Sequence, residues 1–426
     1  MLPARHLVRF VAKTVRDLDL REVYAEYGES GGVAYAPELL LSLIIYGYIT
    51  GIESSRKIEE ATKRDIAWMW LAGGHHPDHD TINSFRERFK RQIDGIFEQV
   101  VKKAIEMGIV KMENVSGDGS KIHANASKSK AMSYERIMER KKMLEKEVEE
   151  LTALEEEEIP AGMNRADEIG LRNLKISRLC EAEKELERRA EERYEDEVAA
   201  YKERMAERAA EEKETGKKIS GPKPEEPKPT GPRGKDQYNF TDPESRIMPE
   251  GNHDGYEQSY NAQVVVDQDS LLIVGELLSD KPNDKRLAIP LLDAISSEIG
   301  QPKNVAFDNG YWSEENVAEI GKRGIEAYIA TGREPHHISW QERFLSSPES
   351  PGKDASAKVK MAYKLKTGEG KKIYRRRKFT VEPVFGIIKE VMGFRQFSLR
   401  GMANAAGEWT LVCLAYNLKR LHQILW

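Results

Sequence analysis

Three acidic residues stand at positions where phosphoryl-transfer chemistry is possible. Asp118 lies between two glycines, Asp308 follows a short apolar run, and Glu382 opens an apolar run with helical spacing. Converging carboxylates suit Mg²⁺ or Mn²⁺, and two such ions about 3.5–4 Å apart can stabilise the attacking and leaving oxygens of a phosphoryl transfer. Taken singly, the aspartates could be turn residues and the glutamate a helix cap.

Cations are concentrated just before the third acid. Residues 353–378 contain eleven Lys or Arg and two acids, a local net charge of +9, although the whole chain carries −5. A cationic segment of this kind neutralises the phosphates of a nucleic acid. Carboxylates beside such a segment therefore predict phosphodiester chemistry on DNA or RNA.

The elements that must position these acids predict a mixed α/β domain. Strand-like runs cover 259–266, 271–278, 304–307 and 325–330, and helices are predicted over 285–299, from Ser313 and over 409–425. The order of these elements implies parallel strands added to an antiparallel hairpin. Asp118 then lies on the first strand and Asp308 at the carboxyl end of the fourth, so the two converge if those strands are neighbours.

The remaining chain is predicted to be mostly helical. Residues 1–110 are expected to form a bundle with helices from Pro37, over 54–71 and over 81–103, the last being basic and capped by Asp78 or Asp80. The bundle could bind DNA or simply expose a solvated basic face. An antiparallel helical hairpin is predicted over 131–216, followed by a Pro- and Gly-rich linker over 220–235.

The cysteine pattern and the hydropathy argue against a zinc protein, a disulfide-stabilised protein and a membrane-spanning protein. The two cysteines, Cys180 and Cys413, lie far apart and lack the spacing of a zinc site or a disulfide framework. The most apolar run, 39–52, is too short to span a bilayer. We therefore expect a protein of a reducing cytoplasm with no membrane partner.

Three blocks resemble the DDE transposases of bacterial insertion sequences, in the branch with a Tyr, Arg, Glu, Lys signature. The blocks are Asp118-Gly119-Ser120-Lys121, Asp308-Asn309-Gly310-Tyr311, and Tyr374 to Arg377 followed by Glu382 to Lys389. Residues 77–86, 241–246 and 260–263 are also similar to that group. The resemblance covers nearly everything except 131–235.

The resemblance implies an RNase H-like fold, with a mixed five-stranded sheet flanked by helices, and a cofactor of two Mg²⁺ ions, with Mn²⁺ as a possible substitute. Asp118, Asp308 and Glu382 would be the catalytic metal ligands. The implied domains are a helical DNA-binding domain at 1–110, a catalytic domain at 111–130 and 236–426, and a helical insertion with its linker at 131–235. A basic loop insertion is expected at 333–372.

Residues expected to contact DNA follow partly from the same resemblance. Tyr374, Arg377 and Lys389 match the signature residues that grip terminal phosphates or a hairpin intermediate. Arg377 stands one residue further from Glu382 than is usual, so Lys378 could share its role. The further candidates are Arg375, Arg376, Arg86, Arg88 and Trp312, the last as a stacking residue or a core residue. The family's cysteine cluster is absent.

The function predicted on this basis is a DNA transposase that cuts element ends and joins them to target DNA. The alternatives are a catalytically silent DNA-binding or regulatory descendant, and a metal-dependent nuclease without strand transfer. The expected partners are double-stranded DNA, as terminal inverted repeats and target, and a second copy of the chain. A two-fold dimer would pair two ends through one repeated interface.

Overall fold

A computed structural model describes most of the chain as two compact units. The described residues are 2–27, 35–90, 92–215, 221–249, 255–332, 350–352 and 355–426. One unit contains residues 1–125 and 248–426, and the other contains residues 126–247. Within the described residues, no helix is long and apolar enough to cross a membrane.

The centre of the first unit is a mixed β-sheet. The strands of the chain are β1 (Asn114–His123), β2 (Ala131–Ser133), β3 (Gln237–Asn239), β4 (Arg246–Pro249), β5 (Tyr256–Asp267), β6 (Ile273–Ser279), β7 (Asn304–Phe307) and β8 (Glu326–Ile329). The sheet order is β4-β5-β1-β7-β8, with β6 also paired to β5. The predicted mixed sheet is confirmed, but it has six strands because β4 joins the five that were expected.

Strand directions follow the predicted order. β5 runs antiparallel to both β1 and β6, whereas β7 runs parallel to β1 and β8. The run Val264 to Val266 on β5 is fully buried. Such a run, buried on both faces, is typical of a strand covered by other elements on each side of the sheet.

Helices fill the N-terminal region, as predicted. They are α1 (Leu7–Arg16), α2 (Arg21–Ala25), α3 (Pro37–Thr50), α4 (Ser55–Arg64), α5 (Ile66–Leu71), α6 (His79–Arg88) and α7 (Gln92–Glu106). The expected helix over 54–71 is split at Asp65, whose carboxylate accepts the Ala67 N–H at 2.8 Å and so starts a new helix. The expected helix over 81–103 is likewise divided between α6 and α7. Asp78 caps α6 by accepting the Thr81 N–H at 2.8 Å.

The second unit is the predicted helical hairpin. Its helices α8 (Tyr134–Ala153) and α9 (Arg165–Thr215) pack together. Their shared apolar core consists of Ile137, Leu144, Leu179, Ala182, Leu186 and Tyr238. Strands β2 and β3 pair antiparallel in the same unit. The linker residues 221–235 form neither helix nor strand.

The C-terminal helices differ from expectation in several places. They are α10 (Ala288–Asp293), α11 (Glu314–Lys322), α12 (Ala357–Lys366), α13 (Gly368–Lys378), α14 (Val381–Gly386), which continues as a π-helical turn over Ile387–Val391, and α15 (Met402–Leu425). α10 ends at Asp293, short of the predicted 299, and in the turn that follows the Ser296 hydroxyl accepts the Glu298 N–H at 3.2 Å. The helix predicted over 409–425 begins at Met402.

The basic insertion predicted as a loop over 333–372 is partly helical. α12 lies within it, and α13 begins within it. The Ser356 and Thr367 side chains accept backbone N–H groups at the starts of these two helices, which explains why the lysine-rich runs continue as helices. Residues 333–349 lie outside the described part of the chain.

Candidate active site

The first predicted acid lies in the middle of the central strand. Asp118 is on β1, opposite Val264 of β5. Its Oδ1 accepts the Gly119 N–H at 2.9 Å, and its Oδ2 accepts a hydrogen bond from Nη1 of Arg377 at 2.7 Å. Burial raises the pKa of Asp118 to about 6, although Arg377 opposes this shift. The carboxyl therefore lies in a poorly solvated environment.

The second acid lies next to the first. β7 is parallel to β1, with Ala306 beside Ser116, and Asp308 directly follows the last residue of β7. Asp308 Oδ1 accepts the Gly310 N–H at 2.8 Å, which fixes the turn after the strand. The negative charge of Asp308 also contributes to the raised pKa of Asp118. The first and fourth predicted strands are therefore neighbours, and the Asp308 charge acts on the Asp118 carboxyl.

Glu382 lies on a helix against the same strand. It is in the first turn of α14, which packs on β1 and β5. Its side chain is exposed and has no hydrogen bond or ion pair with another described residue. In the described part of the chain, no three Asp, Glu, His or Cys side chains come close enough to hold one metal ion. The structure therefore pairs the two aspartates and places the glutamate on the neighbouring helix.

The donor chemistry at the aspartate pair fits a divalent cation. Asp118 and Asp308 supply only carboxylate oxygens, the ligands that Mg²⁺ and Mn²⁺ prefer. Two neighbouring carboxylates raise each other's pKa, and a bound cation relieves that repulsion. Asp118 shows both the raised pKa and the contribution of Asp308 to it.

The glycines beside Asp118 make room for protein side chains. A Cβ atom at Gly117 would overlap the ring of Phe307, and a Cβ atom at Gly119 would overlap the side-chain amide of Gln263. The Gly-Asp-Gly motif is therefore required by packing within the sheet.

A further acid, Asp284, was not identified from the sequence. Its Oδ1 accepts the side-chain amides of Asn261 at 2.7 Å and Gln263 at 2.8 Å, and it lies 3.6 Å from Nζ of Lys121. Asp308 Oδ1 and Asp284 Oδ2 lie 3.0 and 3.6 Å from the position that a Cβ on Gly310 would occupy. Asp284 therefore lies beside Asp308, and the charges of both residues act on Asp118. We call Asp118, Asp308 and Asp284 the carboxylate cluster.

A signal for Asp284 exists in the sequence. β6 and β1 are both antiparallel to β5, so they run in the same direction and their carboxyl ends face the same edge of the sheet. Asp284 follows the end of β6 by five residues, in a Pro- and Asn-containing turn. The rule that selected Asp308, an acid just after a strand, therefore also applies to this position.

The signature cations lie along β1 around Asp118. Arg377 is only 7% exposed, and its guanidinium carbon lies 5.9 Å from the ring centre of Tyr374, which is also buried. Nε of Arg377 has no hydrogen-bond partner among the described residues. Lys389 donates to the Ser120 hydroxyl at 2.6 Å and to the Lys121 carbonyl at 3.0 Å. All three signature side chains thus belong to the site itself.

The other basic residues of α13 divide into two groups. Arg375 and Lys378 are exposed, so their charges can reach a ligand. Arg376 instead donates to the Gln268 carbonyl at 2.7 Å and pairs with Asp269 at 2.7 Å. Arg376, which was expected to contact DNA, therefore anchors the turn between β5 and β6.

Two other expected DNA contacts are buried. Arg86 is 8% exposed and donates to Asn83 Oδ1 at 2.8 Å and to the Tyr48 hydroxyl at 3.3 Å, so its charge is used within the helical bundle. Trp312 is also 8% exposed and cannot offer a ring face to a base. Arg88 remains about half exposed, 3.7 Å from Glu26.

An exposed aromatic residue lies elsewhere in the site region. Phe379 directly follows α13, three residues before Glu382, and it is 77% exposed. The sequence did not single it out because periodicity cannot distinguish a helix-terminal aromatic residue in the core from one in solvent. Phe379, rather than Trp312, is the accessible aromatic residue near the glutamate.

Two family models match this chain. Residues 1–88 match the model described as Transposase domain (DUF772), and residues 228–418 match the model described as Transposase DDE domain. The second match contains Asp308 and Glu382 but begins after Asp118. No curated protein and no solved structure gave a significant match.

Proposed function

Because the chain is a DDE-type transposase of an insertion element, we propose that it cuts the ends of that element and joins them to target DNA by two-metal-ion phosphoryl transfer. The proposal is supported by the proximity of Asp118, on β1, and Asp308, just after the parallel strand β7, whose charge acts on the Asp118 carboxyl. Bound Mg²⁺, or Mn²⁺ in its place, would activate the attacking oxygen and stabilise the leaving one. Asp118, Asp308 and Glu382 would hold these ions.

The chain's own cations would position the DNA. Arg375 and Lys378 are exposed on α13, close in sequence to Arg377, which reaches Asp118. They would hold the phosphate backbone while Arg377, Tyr374 and Lys389 orient the terminal phosphates. Exposed Lys and Arg side chains bind DNA phosphates by releasing condensed counterions, so this binding weakens as salt increases.

A homodimer would bring two element ends together. One symmetric interface repeated about a two-fold axis is the simplest assembly that places two active sites on two ends. We expect light scattering with end DNA present to give a complex that contains two protein chains in addition to the bound DNA. A complex with one protein chain would contradict the dimer, but it would not contradict the proposed cutting reaction.

The decisive experiment supplies the protein with Mg²⁺, labelled DNA carrying the element's terminal repeats, and a supercoiled target. Joined product is expected. Nicks without joining would indicate a nuclease, and a mobility shift without either would indicate a silent DNA-binding protein. Asp308→Ala should abolish cutting and joining but retain binding. Asp293→Ala, at an exposed acid paired with Arg323, is the matched control and should behave as wild type.

The role of Glu382 is tested separately because its side chain lies apart from the aspartate pair. Glu382→Gln should abolish joining, since an amide is a poor ligand for Mg²⁺. Glu390→Gln lies further along the same helical segment, where Glu390 pairs with Arg395, and should retain activity. Full activity of Glu382→Gln would remove Glu382 from the set of metal ligands.

A further inference from the structure

Beyond the three signature acids, we propose that Lys121 binds a phosphate of the DNA strand held at the active site and that Asp284 is its positioning residue. This inference rests on the proposed function, because it concerns the same site. It assigns a role to Lys121, which ends the first of the resembling blocks, and to Asp284, which lies outside all three blocks.

Lys121 lies on the strand that carries Asp118. It is opposite Asn261 of β5, and its Nζ lies 3.6 Å from Asp284 Oδ1. Its side chain is 24% exposed, so its ammonium group is held by the protein yet remains within reach of a ligand. Burial lowers the pKa of Lys121, while the negative charges of Asp284, Asp118 and Asp308 oppose that shift. The ammonium group is therefore electrostatically coupled to the whole carboxylate cluster.

A polar network fixes Asp284. Asn261 and Gln263 both donate to its Oδ1, and Gln263 in turn accepts the buried hydroxyl of Tyr311. Cross-strand partners share one face of a sheet, so Gln263 lies on the face of its partner Gly119, which lacks the Cβ atom that would overlap the amide. Three separate parts of the chain thus converge to hold one carboxylate.

The hydrogen-bond donors that Lys121 has left after its contact with Asp284 point to an anionic ligand. An ammonium group has three donors, and Asp284 is the one partner of Lys121 Nζ among the described residues. Lysine binds phosphates as a compact point charge at the end of a flexible side chain. A DNA strand brought to Asp118 and Asp308 would carry its phosphates past this group.

The test compares four proteins: wild type, Lys121→Met, Asp284→Asn and the double variant. With Mg²⁺ and element-end DNA, Lys121→Met should lower kcat/KM for cutting about 100-fold, as when one preorganised donor is removed. Asp284→Asn should lower it about tenfold, the lower end of the range for a supporting side chain. Because Asp284 acts through Lys121, the double variant should match Lys121→Met alone.

A binding readout separates this inference from the proposed function. The slope of log K against log salt for end DNA is negative, and it should become less steep by about 0.9 in Lys121→Met, the value for one lost phosphate contact. Lys121→Arg keeps the charge and should keep the slope, and it also serves if the Met variant does not fold. Lys303→Met, at an exposed lysine paired with Glu113, and Asp293→Asn are the controls.

An unchanged slope in a folded Lys121→Met protein would overturn the phosphate contact. An Asp284→Asn effect that persists in the Lys121→Met background would overturn the positioning role. If the wild type binds but does not cut end DNA, the proposed function fails, whereas the salt slope still decides whether Lys121 contacts phosphate.

Discussion

The guanidinium of Arg377 and the carboxylate of Asp118 form an ion pair with a separation of 2.7 Å that joins α13 to the central strand. The two side chains are only 8% and 21% exposed, so solvent screens their interaction weakly. The pair brings the most basic helix of the chain to the carboxylate cluster. It also links the pKa of Asp118 to a residue 259 positions away.

Replacing Arg377 should alter the pH dependence of cutting. Arg377→Gln removes the cation that lowers the pKa of Asp118, so this pKa should rise above its value of about 6. Since Asp118 must be ionised to act as the proposed metal ligand, the acidic limb of the activity profile should move to higher pH. Breaking a buried pair should also cost about 3 kcal/mol of stability. Arg376→Gln is the matched control. If both variants showed the same acidic limb, Arg377 would not be what sets the pKa of Asp118.

Adding one methyl group at Gly119 should disrupt the support of Asp284. Gly119→Ala places a Cβ atom on the Gln263 amide, so Gln263 must move and lose its bond to Asp284. We expect a loss of about 1–3 kcal/mol, measured by thermal unfolding. Gly321→Ala in α11 meets no atom within 4 Å and should be neutral or stabilising. Equal melting temperatures for the two variants would show that Gln263 moves without cost.

A partly buried carboxyl on the sheet should make stability depend on pH. Glu276 on β6 and Asp94 on α7 both lie within hydrogen-bond distance of the Thr410 hydroxyl, at 2.7 and 3.1 Å. The Thr410 hydroxyl can donate its single proton to only one of these two carboxyls. Protonation of Glu276 supplies the second proton that the two contacts need. Burial raises the pKa of Glu276 from 4.5 to about 8.

The folded protein therefore keeps the Glu276 proton up to about pH 8, whereas the unfolded chain loses it near pH 4.5. Folding binds a proton within that window, so stability should fall as pH rises from about 5 to 8. Glu276→Gln resembles the protonated form and should melt higher than wild type at pH 9 but not at pH 5. Glu315→Gln, at an exposed position, should change neither melting temperature.

Phe379 should matter for DNA and not for folding. It is 77% exposed, so Phe379→Ala removes little buried area and should leave the melting temperature within about 2 °C of wild type. An exposed aromatic face beside cations can stack on an unpaired base, which is worth about 1–3 kcal/mol per base. Binding of single-stranded end DNA should weaken about tenfold, measured by fluorescence anisotropy. Leu174→Ala, also exposed, is the control, and equal affinities would exclude stacking at Phe379.

The sequence predicted the parts of the site that depend on strand order. Asp118 and Asp308 could be placed together because apolar runs define strands, and an acid on one strand lies near an acid at the carboxyl end of its parallel neighbour. The helical hairpin was also predictable, since its apolar spacing is sustained over many turns. These features depend on periodicity, which the sequence contains.

The features that could not be predicted depend on tertiary contacts. A basic residue on a helix has the same local pattern whether it faces solvent, as Arg375 does, or the interior, as Arg86 does. Asp284 becomes part of the site only through the amides of Asn261 and Gln263, which no local pattern links to it. The breaks within the predicted N-terminal helices arise from individual caps such as Asp65.

The pairing of β1 with β5 affects how the chain can fold during synthesis. Val115 pairs with Asp267, so the central strand leaves the ribosome 152 residues before its partner. At bacterial elongation rates this interval is on the order of ten seconds. The helical hairpin of α8 and α9, which lies between β1 and β5 in the chain, contains mostly local contacts and can form during this interval. The backbone edges of β1 stay unpaired until β5 has been synthesised. Nascent chains stalled within residues 221–235 should therefore bind chaperones, and release of residues past 279 should end that dependence.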